Sequence, residues 1–156
     1  MYWRLGHAQF EIHKGEQNRK SMKRIVDRGE IPGILAYLNR RPIGWCAVAP
    51  REKYVRLERS RLLTPIDEQP VWSIVCLLVG KEFRRCGVSV ALLRAAADYV
   101  RLSGGRIVEG YPIEPRTGRM PDVFAWTGVA SAYRRAGFIE QARRSATRPI
   151  MRRILG

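Results

Sequence analysis

Cysteine is scarce in this chain of 156 residues. Cys46, Cys76 and Cys86 are odd in number and lie 30 and 10 residues apart, so neither a disulfide framework nor a zinc site follows from them. Histidine is scarcer still: His7 and His13 come without a partner motif, and no metal is expected. No apolar run approaches the ~18 residues of a membrane helix. The N-terminal "MYWRLGHAQF" lacks the basic start, apolar stretch and small-residue cleavage site of a secretion signal, so a cytoplasmic chain without membrane contact is expected. Acidic residues are few, 14 against 29 basic ones of which 24 are arginine, giving a net charge of +15. That balance predicts attraction to polyanions. The arginines are spread along the chain, however, and no RNA-binding signature or Cys/His finger spacing accompanies them, so nucleic acid is not the expected main partner.

What is present suits one folded domain spanning residues 1–156, with 46% hydrophobic and 28% charged residues. Residues 16 to 28, "EQNRKSMKRIVDR", carry Met22, Ile25 and Val26 at helical spacing and stop at Gly29. "GILAYL" and "PIGWCAVA" flank "NRRP" as a hairpin would. Residues 51 to 70 read as a surface loop or short helix. "VWSIVCLLV", residues 71 to 79, is almost unbroken apolar sequence and predicts a central strand covered on both faces. From Ser89 to Ser103 the positions Val90, Leu93, Ala97 and Val100 keep helical period until Gly104. "RIVEGY" predicts another strand and "PIEPRTGRMPD" a long loop. "VFAWTGVASAYRRAGF" predicts a helix ended by Gly137, and "FIEQARR" and "RPIMRRIL" predict two closing strands.

Between the central strand and its helix lies the elbow "FRRCG". The first amides of a helix lack intrahelical partners and the peptide dipoles add partial positive charge. Gly87 allows close backbone approach, while Arg84 and Arg85 add full charges, so the elbow suits a diphosphate. Neither GxxxxGK[ST] nor GxGxxG is present, which excludes the two commonest phosphate loops.

The stretch "VGKEFRRCGVSVALL" resembles motif A of the GNAT (GCN5-related N-acetyltransferase) superfamily, a strand followed by [RQ]xxGx[GA] and a helix. Arg84 falls on the first position and Gly87 on the fourth; Ser89 stands where Gly or Ala is usual. "YRRAGF", residues 133 to 138, occupies the slot of the family's YxKxGF-like segment, and the likeness runs from about residue 20 to 153. It looks like a poorly characterised bacterial subgroup. The resemblance implies an α/β fold built on a mixed α+β sheet, that of the acyl-CoA N-acyltransferases. It also implies acetyl-CoA as co-substrate and direct transfer of acetyl to an amine, on a small molecule or a protein, in a ternary complex.

By position in the family, Leu78 and Val79 would pair with the pantetheine arm, and Arg84, Arg85, Cys86, Gly87, Val88 and Ser89 would take the pyrophosphate. Tyr133 matches the tyrosine that protonates the departing thiolate, a role needing a donor near sulfur. The central strand offers no carboxylate as general base, which leaves Glu109, Glu114 and Asp122 as alternatives along the chain. Trp126, where many relatives have asparagine, is expected either to wall the acceptor pocket or to pack in the core. Cys86 reads as an inert loop cysteine, and Trp45 and Trp72 as core. Only 15 residues precede the segment "EQNRKSMKRIV", so the family's first strand and helix are expected to be absent. An edge would then be exposed, predicting a homodimer. A non-catalytic acyl-CoA sensor or scaffold, and a basic nucleic-acid-binding module, are the alternative readings.

Overall fold

Asn39 and Arg40 both adopt positive φ, 48° and 66°. Two such residues in succession form a tight turn whose twist matches antiparallel strands. They join β1 (Gly33–Leu38) to β2 (Arg41–Pro50) in the computed structural model, which describes residues 1–114 and 126–156. Arg41 and Pro42, expected in the connection, already belong to β2. A 3-10 turn and the single helical turn α3 (Val55–Glu58) follow. β3 (Trp72–Val79) then pairs antiparallel with β2, and β4 (Ile107–Gly110) lies parallel to β3. β5 (Ile139–Arg143) and β6 (Pro149–Ile154) close a mixed six-stranded sheet of order β1-β2-β3-β4-β6-β5.

The unbroken apolar run of β3 has two causes. Ile74, Leu77 and Val79 pack under the long helix α4 (Val88–Leu102) with Leu93, Ala97 and Val100, while Val75 packs on the other face with Tyr54, Leu57 and Tyr111. The strand also carries a bulge. Ala47 opposes Cys76 but Val48 opposes Ile74, so Val75 is an extra residue and the alternation slips by one. Ile74 faces α4 before the bulge; Leu77 and Val79 do so after it.

The bulge coincides with a parting of strands. β3 pairs with β4 only at Trp72, Ser73 and Ile74. Beyond Gly110 the chain runs into Pro112, which has no N–H to offer a ladder. Among the described residues no strand therefore lies beside β3 on that side from Val75 onward. The wedge is filled by Thr127, Gly128 and the helix α5 (Ala130–Arg135). Of the helix expected over residues 123–138, the part from residue 126 on is helical only over Ala130–Arg135: Gly128, at φ 84°, precedes it and Gly137, at φ 87°, ends it.

Two helices open the chain, α1 (His7–Ile12) and α2 (Glu16–Asp27), and no strand precedes them among the described residues. A helix, α1, thus stands before the segment ahead of which none was expected, its six residues being too few to show periodicity in sequence. Its anchors are aromatic: the Tyr2 ring meets Phe10 at 5.4 Å, the Arg56 guanidinium lies 3.7 Å from the Tyr2 centroid, and Asn18 Nδ2 donates to Phe10 O. No helix among the described residues is long and apolar enough to cross a membrane.

Candidate active site

The chain leaves β3 at Val79, and Gly80 N–H donates to Ile43 O at 2.9 Å. After one 3-10 turn, Arg84 is extended, Arg85 is left-handed at φ 64°, and Gly87 is left-handed at φ 81°. A Cβ on Gly87 would touch nothing within 4 Å, so glycine is required there by backbone conformation and not by crowding. Gly87 is the N-cap of α4, with no side chain capping the helix and no acidic residue in its first turn. The unpaired amides and the dipole end therefore remain available to an anion. They face a groove of about 200 Å³ lined by Arg85, Gly87, Val88 and Ser89 on one side and Val129, Ser131 and Arg135 on the other. Arg135 was not singled out from sequence, although it sits inside "YRRAGF". Of the expected loop residues, Arg84 turns back to donate from Nε to Val79 O at 3.3 Å, and Cys86 is exposed with Sγ 3.4 Å from Arg84 O.

The open edge of β3 follows the same period of two. Because Gly80 bonds to Ile43, the backbone of Leu78 is also turned to β2, where its carbonyl lies against Gly44. Leu77 and Val79 face the wedge instead, and Leu77 N–H donates to Trp126 O at 2.8 Å. Of the two residues expected to offer backbone to a pantetheine arm, Val79 is so placed. Leu78 is not, and Leu77 takes its place.

Tyr133 stands at the bottom of the wedge, fully buried, with its ring 5.1 Å from Phe138. Its hydroxyl donates to Thr127 O at 3.2 Å. Gly110 and Gly128 make room for it: a Cβ on Gly110 would overlap the phenol ring, and one on Gly128 would approach it to 2.9 Å. Burial pushes the Tyr133 phenol well above its ordinary value of 10.0, so it holds its proton at any physiological pH. Burial likewise raises Tyr54 and Tyr111. All three bind protons more tightly when folded. Their contribution is complete below pH 10 and is lost as pH rises beyond it, at about 1.4 kcal/mol per pH unit for each group ionised in the unfolded chain. Urea midpoints measured between pH 8 and 12 are expected to hold to about pH 10 and then collapse.

The carboxylates are not where a general base is needed. Glu109 neighbours Gly110 in β4 but points to the opposite face from Tyr133. It is 1% exposed, accepts from Arg152 Nε at 2.6 Å and Tyr111 OH at 2.7 Å, and lies 3.5 Å from Arg51 Nη1. Asp67 pairs with the far side of Arg152, and Ser73 Oγ reaches Tyr111 OH. A catalytic role for Glu109 is therefore corrected: it is the acceptor at the centre of a buried ionic network. Glu114 is bound by Arg143 and Arg134, which hold its carboxyl below the usual range and make it a weak base. Asp122 lies outside the described residues.

Trp126 stacks edge-on with Tyr2 at 5.2 Å and lies 5.6 Å from Trp3. It walls a small pocket of about 160 Å³ beside the bulge, with Trp3, Trp45, Tyr54, Val75 and Cys76 among the other walls. Trp45 is thus a pocket wall and not only core, whereas Trp72 packs on Tyr99 at 5.8 Å. Sequence reasoning missed this pocket because its residues are scattered along the chain.

A comparison with curated proteins returns no match. Among solved structures, the chain is similar to a GNAT-family acetyltransferase from Streptococcus pneumoniae, with 13% identity over 92% of this chain and 78% of that one, at TM-score 0.58. It is similar to a ribosomal-protein-alanine N-acetyltransferase from Brucella melitensis, with 13% identity, 90% and 78% coverage, and TM-score 0.57. A third likeness is to the NatC complex bound to Gag peptide and CoA, with 13% identity, 88% and 79% coverage, and TM-score 0.53. At these identities the likeness is one of fold. The sequence itself matches the model of the acetyltransferase (GNAT) family over residues 2–111, which includes β3, the elbow and α4. The uncapped elbow, the parted strands and that match together place this chain in the GNAT acetyltransferase family.

Proposed function

We propose that this acetyltransferase uses acetyl-CoA to acetylate an amine by direct transfer, both substrates being bound at once on either side of β3. The observation that carries the reading is the uncapped N-terminus of α4, set in a groove between Arg85 and Arg135 at the end of a β3 edge that no strand covers among the described residues. The loop from Arg84 to Ser89 would hold the pyrophosphate through its amides, with Arg85 and Arg135 supplying charge. When bound, acetyl-CoA supplies an activated acyl thioester. Tyr133 holds a proton at its hydroxyl for the leaving sulfur, and burial keeps that proton in place. The wedge around Tyr133 excludes water. For a pantetheine arm to pair with Leu77, Trp126 O must give up that N–H.

The last point favours one second reading, a domain that binds acyl-CoA without turnover. Turnover separates the two: acetyl-CoA-dependent thiol release across a panel of amines supports the enzyme, and tight coenzyme binding with no release from any amine supports the sensor. The proposed assembly is a homodimer in the cytoplasm, with edge strand β1 as the surface to be covered. Leu35 and Tyr37 are exposed there by 49% and 59%. Light scattering of the full chain would show a dimer, and a monodisperse monomer would refute it.

A further inference from the structure

The pocket beside the β3 bulge is unusual in its polar groups. Tyr54 is 1% exposed, yet neither its hydroxyl proton nor that of the buried Trp3 Nε1 finds an acceptor among the described residues. Both residues line the pocket, as does Arg4, whose guanidinium lies 5.2 Å from the Tyr54 ring centroid and makes no ion pair among the described residues. Among the described residues no carboxylate lines it. A buried donor left without an acceptor costs about 1–3 kcal/mol, and native proteins rarely leave one. An indole N–H and a guanidinium can only donate, and a phenol donates readily, so an anionic acceptor suits all three. The other walls are apolar or aromatic: Trp45, Trp126, Val75 and Met22. At about 160 Å³ the pocket is smaller than the ~300–1,000 Å³ typical of drug-sized ligands.

From these groups we infer that the pocket binds a small apolar amino carboxylate, with its carboxylate on Tyr54, Trp3 and Arg4 and its apolar body against the tryptophans. That this molecule is the acetyl acceptor rests on the reading above. The position agrees with it, because Val75 and Cys76 of the pocket belong to the bulge and Trp126 spans from the pocket to Leu77 on the free edge. The amine would then lie at the β3 end and the carboxylate at the N-terminal end.

Four tryptophans in the chain, three of them in this pocket, make fluorescence a direct reporter. The full chain is titrated with L-leucine and L-phenylalanine, and separately with L-leucinamide and L-phenylalaninamide, which differ only in the carboxylate. At least one free amino acid is expected to quench saturably and to bind ten-fold or more tighter than its amide. Tyr54→Phe keeps the buried ring and removes a hydroxyl whose proton has no acceptor among the described residues, so folding should survive; it is expected to weaken the amino acid about ten-fold and leave the amide unchanged. Amides binding as tightly as acids, Tyr54→Phe binding unchanged, or neither acid binding would each overturn the inference. Acetyl-CoA binding is measured on the same protein. Coenzyme binding without amino acid binding overturns the pocket alone, whereas amino acid binding without coenzyme binding keeps the pocket and overturns the acetyltransferase reading.

Discussion

Glu109→Ala is expected to lower folding stability by about 3–5 kcal/mol, the largest loss of any single substitution considered. The reason is what remains behind. Arg51 and Arg152 are each 7% exposed and meet at Glu109, so removing the carboxylate takes away the negative charge that the two buried cations share. Arg51 would keep Glu58, Tyr111 OH and the carbonyls of Leu57 and Leu63, and Arg152 would keep Asp67. Glu58 and Asp67 are partly exposed and each pairs with only one of the two arginines, so neither replaces the fully buried charge between them. Urea unfolding is the measurement, with the slope unchanged and the midpoint displaced. Glu109→Gln keeps the shape and loses the charge, and it separates structure from chemistry. If Glu109 were the general base, the glutamine variant would fold normally and fail to turn over. Its position on the far face of β4 predicts the reverse: a lowered midpoint, with turnover per folded molecule retained.

Tyr133→Phe should behave in the opposite way. The hydroxyl makes one hydrogen bond, to Thr127 O, so its loss should alter stability by no more than about 1 kcal/mol. The ring that fills the space left by Gly110 and Gly128 is preserved. What disappears is the proton donor at the end of the free strand edge, and general acid catalysis commonly contributes about 10²–10⁴-fold. Turnover is expected to fall by about a hundred-fold or more at unchanged KM for acetyl-CoA. Wild-type turnover in Tyr133→Phe would remove the acid role assigned to it. Because burial keeps the phenol protonated far beyond neutrality, no loss of turnover on the alkaline side should be traceable to Tyr133 below pH 10.

The strand, elbow and helix around Gly87 were legible because each signal is local: an apolar run, a glycine where a left-handed residue is needed, and a helical period. The parity of β3 was not legible. A run with apolar residues on both faces carries no alternation, so nothing in "VWSIVCLLV" announces the extra residue at Val75 that turns Leu77, and not Leu78, to the free edge. The role of Glu109 was hidden for another reason. Its partners Arg51 and Arg152 lie 58 and 43 residues away along the chain and come together only when β4 enters the sheet between β3 and β6. Trp126, Trp45, Tyr54 and Trp3 are scattered likewise, and Trp45, which reads as core in the sequence, lines a pocket with them in the fold. Arg135 could have been found, since one helical turn sets it on the same side as Ser131 facing the groove.

The central claim is that the left-handed turn at Arg85 and Gly87 presents the free amides of α4 to a diphosphate. Calorimetric titration of the full chain with acetyl-CoA tests it most directly, beside a Gly87→Glu variant whose fold is verified by its unliganded melting curve. The account predicts saturable one-to-one binding to the native chain and its loss in the variant, where a carboxylate stands against the phosphates. No binding by the native chain, or equal binding by a folded Gly87→Glu protein, would contradict it.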